Sequence, residues 1–176
     1  MSRSGHEAIK AVGMLSGGLD STLAAYLVAS QGIEVLGVNY STGLCKVDHK
    51  RIVPRNVDDP KKLRNEALRA GSDLRVPVEI VDVSRTYLPV ILNPKHGYGA
   101  HVNPCLDCRA FMLARAREYM LEQGAHFVFT GEVLGQRPMS QTKSSLRYVE
   151  KHSGLVGYIL RPLSAKNLPE TLPEKE

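Results

Sequence analysis

No apolar run in this chain approaches the ~20 residues that a membrane span needs. The stretch Met1 to Glu7 lacks the apolar core of a signal peptide. These absences predict a soluble, cytoplasmic protein with no membrane partner. Cysteine is scarce: Cys45, Cys105 and Cys108 are the only three. An odd count without a secretion signal argues against a disulfide framework. It leaves metal binding, redox or nucleophilic chemistry, or simple burial. A G-x-G-x-x-G fingerprint is missing as well. Gly13 and Gly18 have Walker-loop spacing, but Leu19-Asp20 stands where Lys-Ser/Thr belongs. There is no internal repeat.

What is present reads as one globular domain. Apolar residues make up 43% of the 176 and charged residues 23%, which is ordinary usage for a chain long enough to bury a core. The net charge is +5. Much of it is local: nine Lys or Arg face five acids between Lys46 and Arg75. That excess suits a polyanion such as RNA, although a solvated loop and helix face has the same composition.

Short apolar runs alternate with helical patterns. Ile9 to Leu15 predicts a buried strand, Asp20 to Gln31 a helix stopped by Gly32, and Ile33 to Tyr40 a second strand. Lys61 to Ala70 predicts a helix ended by Gly71, and Val76 to Val83 a third strand. Residues 92–104 read as a long loop, Cys105 to Gln123 as a helix, and Ala125 to Gly131 as a fourth strand. Ser140 to His152 predicts a helix and Gly157 to Leu160 a fifth strand. The expected fold is therefore α/β: an open, parallel, five-stranded, Rossmann-like sheet with helices on both faces. Residues 1–163 would form the catalytic domain, and 164–176 a Pro-rich linker or disordered tail. Ligands in such sheets sit at the carboxyl ends of the strands. The Ser16 loop, Asn39-Tyr40, Thr130-Gly131-Glu132 and the region after Val83 all fall on that edge.

Leu15-Ser16-Gly17-Gly18-Leu19-Asp20-Ser21-Thr22 joins the first strand to the first helix. Two glycines let backbone approach a bulky anion. The helix start adds unpaired N–H groups and a positive dipole end. Ser16, Ser21 and Thr22 add hydroxyls. Asp20 would repel phosphate alone, but fits a Mg²⁺ bridging the phosphates. Asn103-Pro104-Cys105-Leu106-Asp107-Cys108-Arg109 opens the long helix. The helix dipole and Arg109 would favour thiolate there. Two such thiolates can serve redox chemistry, a zinc or iron–sulfur half-site, or structure.

The loop resembles the S-G-G-x-D-S signature of the PP-loop (N-type ATP pyrophosphatase, adenine nucleotide alpha hydrolase-like) superfamily at every fixed position. The likeness extends over roughly residues 8–165 to the thiouridylase branch. It is carried by Asn103-Pro104-Cys105-x-x-Cys108, by Gly131-Glu132-Val133-Leu134-Gly135-Gln136-Arg137-Pro138 and by Leu160-Arg161-Pro162-Leu163-Ser164. The resemblance implies an ATP-dependent tRNA sulfurtransferase that adenylates a uridine oxygen, releases pyrophosphate and installs sulfur. It implies nucleotide contacts from Leu15, Ser16, Gly17, Gly18, Asp20, Ser21, Thr22, Asn39, Tyr40, Gly131, Glu132, Gln136 and Arg137. Asp20, Cys105 and Cys108 would be catalytic. Relatives often carry G-H-x-x-x-D after the fourth strand, where this chain has Glu132 in place of the His. Sulfur in this branch travels on a cysteine persulfide or on a 4Fe–4S cluster held by three cysteines, here Cys45, Cys105 and Cys108. Implied partners are tRNA and a sulfur donor protein or sulfide; the oligomeric state is left open. The same chemistry on a small molecule, by sulfur transfer or amidation, and a non-catalytic nucleotide sensor are the competing readings.

Overall fold

The computed structural model describes residues 8–43, 65–98 and 104–175. Five strands form one sheet: β1 (Lys10–Met14), β2 (Glu34–Ser41), β3 (Val78–Asp82), β4 (Phe127–Thr130) and β5 (Ile159–Leu160). Their order is β3-β2-β1-β4-β5 and every neighbouring pair is parallel. Helices cover both faces, as a parallel sheet requires. The strand alternation divides the core. Ala11, Leu15, Phe127 and Phe129 pack on the side of α1 (Leu19–Ala29) and α2 (Glu66–Leu74). Val12 and Val128 pack on the opposite side, against α4 (Cys105–Glu122) and α5 (Lys143–Ser153). The expected fold class is thus observed.

The chain runs β1, β2, β3 outward in one direction and then returns to place β4 on the other side of β1. The reversal puts the topological switch point of the sheet at the carboxyl ends of β1 and β4, where open α/β sheets bind their ligands. Among the described residues no helix is long and apolar enough to cross a membrane.

Three elements depart from the sequence expectation. Gly71 does not end α2, which runs on to Leu74. It is buried within the helix, and a side chain there would overlap Val78 and the Val76 carbonyl. Its smallness serves helix–strand packing, and the left-handed cap is Arg75 at φ 57°. A further helix, α3 (Ser84–Leu92), starts where Asp82 Oδ1 accepts from the Ser84 N–H at 2.9 Å. Pro89 inside it masks the pattern, yet Tyr87, Val90 and Ile91 share one packed face.

The stretch 164–176, expected as a Pro-rich linker or disordered tail, carries regular structure. Pro162–Asn167 is a 3-10 helix with Pro162 at its start, and Leu172–Lys175 forms α6. Leu163 packs on the core, buried Ser164 accepts from the Leu134 N–H at 2.8 Å, and the Leu172 N–H donates to the Gly157 carbonyl at 2.9 Å.

Candidate active site

The loop after β1 is held by its own hydroxyls. Ser21 Oγ donates to the Gly18 carbonyl at 3.0 Å and lies 3.1 Å from Ser16 Oγ. Thr22 Oγ1 donates to the same carbonyl at 2.9 Å. The Gly18 and Ser16 N–H groups each reach a loop hydroxyl at 3.3 Å. Among the described residues no side chain caps the start of α1. Its first N–H groups are therefore left for an anion. Gly17 sits at φ 80°, and a Cβ there would run into the backbone of Glu66. Both its conformation and its contact with α2 demand glycine.

Asn39 Nδ2 donates to the Leu15 carbonyl at 2.6 Å, and its Oδ1 lies 3.4 Å from Asn65 Nδ2. Asn65 in turn caps α2, accepting from the Ala67 N–H at 2.8 Å. Asn39 thus supports the loop. Tyr40, its neighbour on an alternating strand, points the other way. Its hydroxyl is buried without a hydrogen-bond partner among the described residues, where burial first and Glu118 second push its pKa upward. Tyr40 lines a recess of about 270 Å³ with Arg115 and Tyr119 of α4, on the face opposite α1. The Tyr40 side chain, at a position expected near the nucleotide, thus lies on the face of the sheet opposite the Asn39 side chain.

At the end of β4, Gly131 lies directly against α1. A Cβ at Gly131 would meet the Ser21 nitrogen at 2.5 Å. Gln136 then reaches back, its Nε2 donating to Asp20 Oδ2 at 3.1 Å. Arg137 is exposed beside it. This hydrogen bond brings together Asp20 and Gln136, which come from separate motifs of the sequence.

Glu132 is a different kind of residue from the one expected. It is 1% exposed. Its Oε1 accepts from Arg109 Nε at 3.0 Å and Nη2 at 2.6 Å. Its Oε2 accepts from Arg161 Nε at 2.9 Å and Thr130 Oγ1 at 3.1 Å. Arg161, 3% exposed, also pairs with Glu150. Burial works to raise the Glu132 pKa, but Arg109 and Arg161 hold it below the usual carboxylate value. With both oxygens engaged inside the protein, this carboxylate is a structural node and is not available as a nucleotide ligand. The same pairing commits Arg109, read from sequence as a helper of the thiolates, to Glu132.

Cys105 and Cys108 are half-buried and not disulfide-bonded, in the first turn of α4. Cys108 packs beside Val83, Tyr87 and Met112. Arg109, next in the chain, ties this turn to Glu132, and Gly131 touches α1. The thiol helix and the phosphate loop are therefore anchored to the same two residues at the end of β4. Between the cysteines, Asp107 accepts from the His96 N–H at 2.9 Å and lies 2.8 Å from its Nδ1. Among the described residues no group of three His, Cys, Asp or Glu is placed to hold a metal. Cys45 and Asn103 lie outside the described residues, as do Lys46 to Arg64 of the basic stretch. Asn65 and Gly131's contact with α1 were not legible as such; the Asn-Glu start of α2 and the Thr-Gly-Glu after β4 were the available signals.

The chain spans less than half the length of the curated relatives it matches. The tRNA-specific 2-thiouridylase MnmA 2 of Thermoanaerobacter sp. (strain X514) is 31% identical over 175 residues, covering 92% of this chain and 45% of that protein. MnmA of Thermotoga maritima is 32% identical over 114 residues, 62% of this chain and 32% of that one. A 4-thiouridine synthetase solved with RNA and ATP superposes with a TM-score of 0.63 at 24% identity, over 88% of this chain and 36% of that one. A predicted subunit of tRNA methyltransferase from Methanocaldococcus jannaschii gives 0.55 at 15%, over 88% and 68%. These two solved structures share the fold. The model of the thiamine biosynthesis protein (ThiI) family matches residues 7–168, and this chain belongs to that family of PP-loop proteins.

Proposed function

We propose that this chain is the ATP-using, sulfur-transferring unit of a cytoplasmic tRNA thiolase. A uridine carbonyl oxygen attacks the α-phosphorus of ATP, and pyrophosphate leaves. The adenylated carbon then accepts sulfur, and AMP departs. The observation that carries the reading is the joint anchoring of the uncapped start of α1 and the Cys105–Cys108 turn at Gly131 and Glu132. Family membership and the 2-thiouridylase relatives support the same chemistry.

Each residue has a role in this scheme. The N–H groups at the start of α1 bind phosphate, and the Ser16, Ser21 and Thr22 hydroxyls hold the loop shape. Asp20, oriented by Gln136, fits a magnesium ion shared with the phosphates. Such an ion, when bound, neutralises phosphate charge. The thiolate of Cys105 or Cys108 attacks the outer sulfur of a donor protein's cysteine persulfide and takes that sulfur, and the donor cysteine leaves as a thiolate. The terminal sulfur attacks the activated carbon, and the second thiolate cleaves the S–S bond, leaving a disulfide that a reductant resets. A 4Fe–4S cluster completed by Cys45 is the other version of sulfur delivery. Iron and sulfide content with an anaerobic absorption spectrum separates the two.

The test is pyrophosphate release in the presence of tRNA. Asp20→Ala and Ser21→Ala are expected to lower it by at least 100-fold, or about 2.7 kcal/mol of transition-state stabilisation, with the fold intact by circular dichroism. Wild-type release from both variants would remove the assignment.

A further inference from the structure

Helix α5 carries features that the proposed reaction does not use. Lys143, Arg147 and Lys151 recur every four residues and are all exposed. A helix rises 1.5 Å per residue, so these cations step along one stripe at about 6 Å, on the scale of a nucleotide. The one acid of α5, Glu150, is paired with Arg161. It does not offset the stripe.

Beside the stripe lies an aromatic ladder. The Tyr148 and His152 rings stack with centroids 3.8 Å apart and planes 22° from parallel. His96 meets the edge of Tyr148 at 4.5 Å and 74°. The far end of the ladder reaches the thiol helix, where His96 Nδ1 lies 2.8 Å from Asp107 between the two cysteines. His152 is exposed. Cations for phosphates with aromatic faces for bases is the pattern of single-strand recognition.

We propose that α5 is a docking surface for single-stranded RNA. Phosphates run along Lys143, Arg147 and Lys151, a base stacks on the outer face of His152, and the strand is led toward Cys105 and Cys108. The proposal rests on the tRNA reading above but assigns it a surface on this chain, separate from the basic stretch between Lys46 and Arg75.

Binding of the 176-residue chain to bulk tRNA and to a fluorescent single-stranded oligonucleotide, over a salt titration, tests it. The Lys143→Ala, Arg147→Ala, Lys151→Ala triple variant is expected to flatten the slope of log affinity against log salt by about 2, since each single-strand phosphate contact contributes about 0.7. His152→Ala, and Tyr148→Ala with it, should weaken binding about 10-fold without changing that slope. Tyr148→Phe should bind as wild type, because the ring remains. Circular dichroism and melting of each variant verify folding; the exposed His152→Ala is the decisive variant where Tyr148→Ala melts early. Wild-type affinity and slope in the triple and in His152→Ala would overturn the surface and leave the tRNA reading standing. No binding by the wild-type chain at low salt would overturn both.

Discussion

Glu132 stands where relatives often carry a histidine, and its surroundings explain how a carboxylate persists there. A buried ion needs partners, and two guanidiniums and a hydroxyl supply them. Removing one partner of such a set costs about 3–5 kcal/mol, because the remaining charge is left buried and unpaired. Glu132→Gln is therefore expected to lower stability by that order at neutral pH. The Glu132 pKa is depressed in the folded state. Its contribution is then fully present above the ordinary glutamate value of about 4.3 and is lost as pH falls through the lower folded value. Urea unfolding of wild type and variant from pH 7 to pH 3 checks this. The stability gap should close toward acid; a gap independent of pH would show that the carboxylate's charge is not what matters. The sequence displayed Glu132, Arg109 and Arg161 in separate motifs, but no linear pattern shows that three such residues converge. That required the parallel sheet, which sets the ends of β4 and β5 side by side.

The same contrast between local pattern and packing governs the elements. Strands β1, β2 and β4 were legible as short apolar runs, the form a strand takes when both faces are covered, and α1 and α4 as apolar residues recurring among polar ones. The errors came where one residue type has two uses. Gly71 read as a helix stop because glycine often fills a left-handed cap. In the fold, α2 crosses β3 so closely that only glycine fits, and Arg75 takes the left-handed cap. Gly71→Ala makes the conflict measurable. Helix propensity alone favours alanine by about 1 kcal/mol. Overlap with Val78 and the Val76 carbonyl costs about 1–3 kcal/mol, and both neighbours are stiff. A net loss of stability is expected in the denaturant midpoint. A more stable variant would mean that α2 and β3 can separate freely. Pro89 hid α3 by the converse route: proline usually breaks a helix interior, yet here the packed face of Tyr87, Val90 and Ile91 outweighs it.

At the scale of the whole molecule, the sheet order puts two half-sites on one edge. The phosphate loop follows β1 on one face; the thiol turn opens a helix on the other. Among the described residues they are tied together at the end of β4, where Gly131 abuts α1 and Glu132 holds Arg109. This arrangement predicts separable chemistry. Cys105→Ala or Cys108→Ala removes a thiol from a half-buried turn of a helix that packs on the opposite face of the sheet from α1. Each is expected to abolish thiouridine formation, measured by nucleoside analysis of the tRNA product, while ATP affinity stays within about two-fold of wild type. Cys45→Ala then sorts the sulfur carriers. It should cost iron and activity together if a cluster delivers sulfur, since two thiolates alone hold a cluster weakly. It should leave both unchanged if a persulfide does. Full thiouridine formation by Cys105→Ala and by Cys108→Ala would detach the thiol turn from catalysis, and the anchoring at Gly131 and Glu132 would then serve the fold alone.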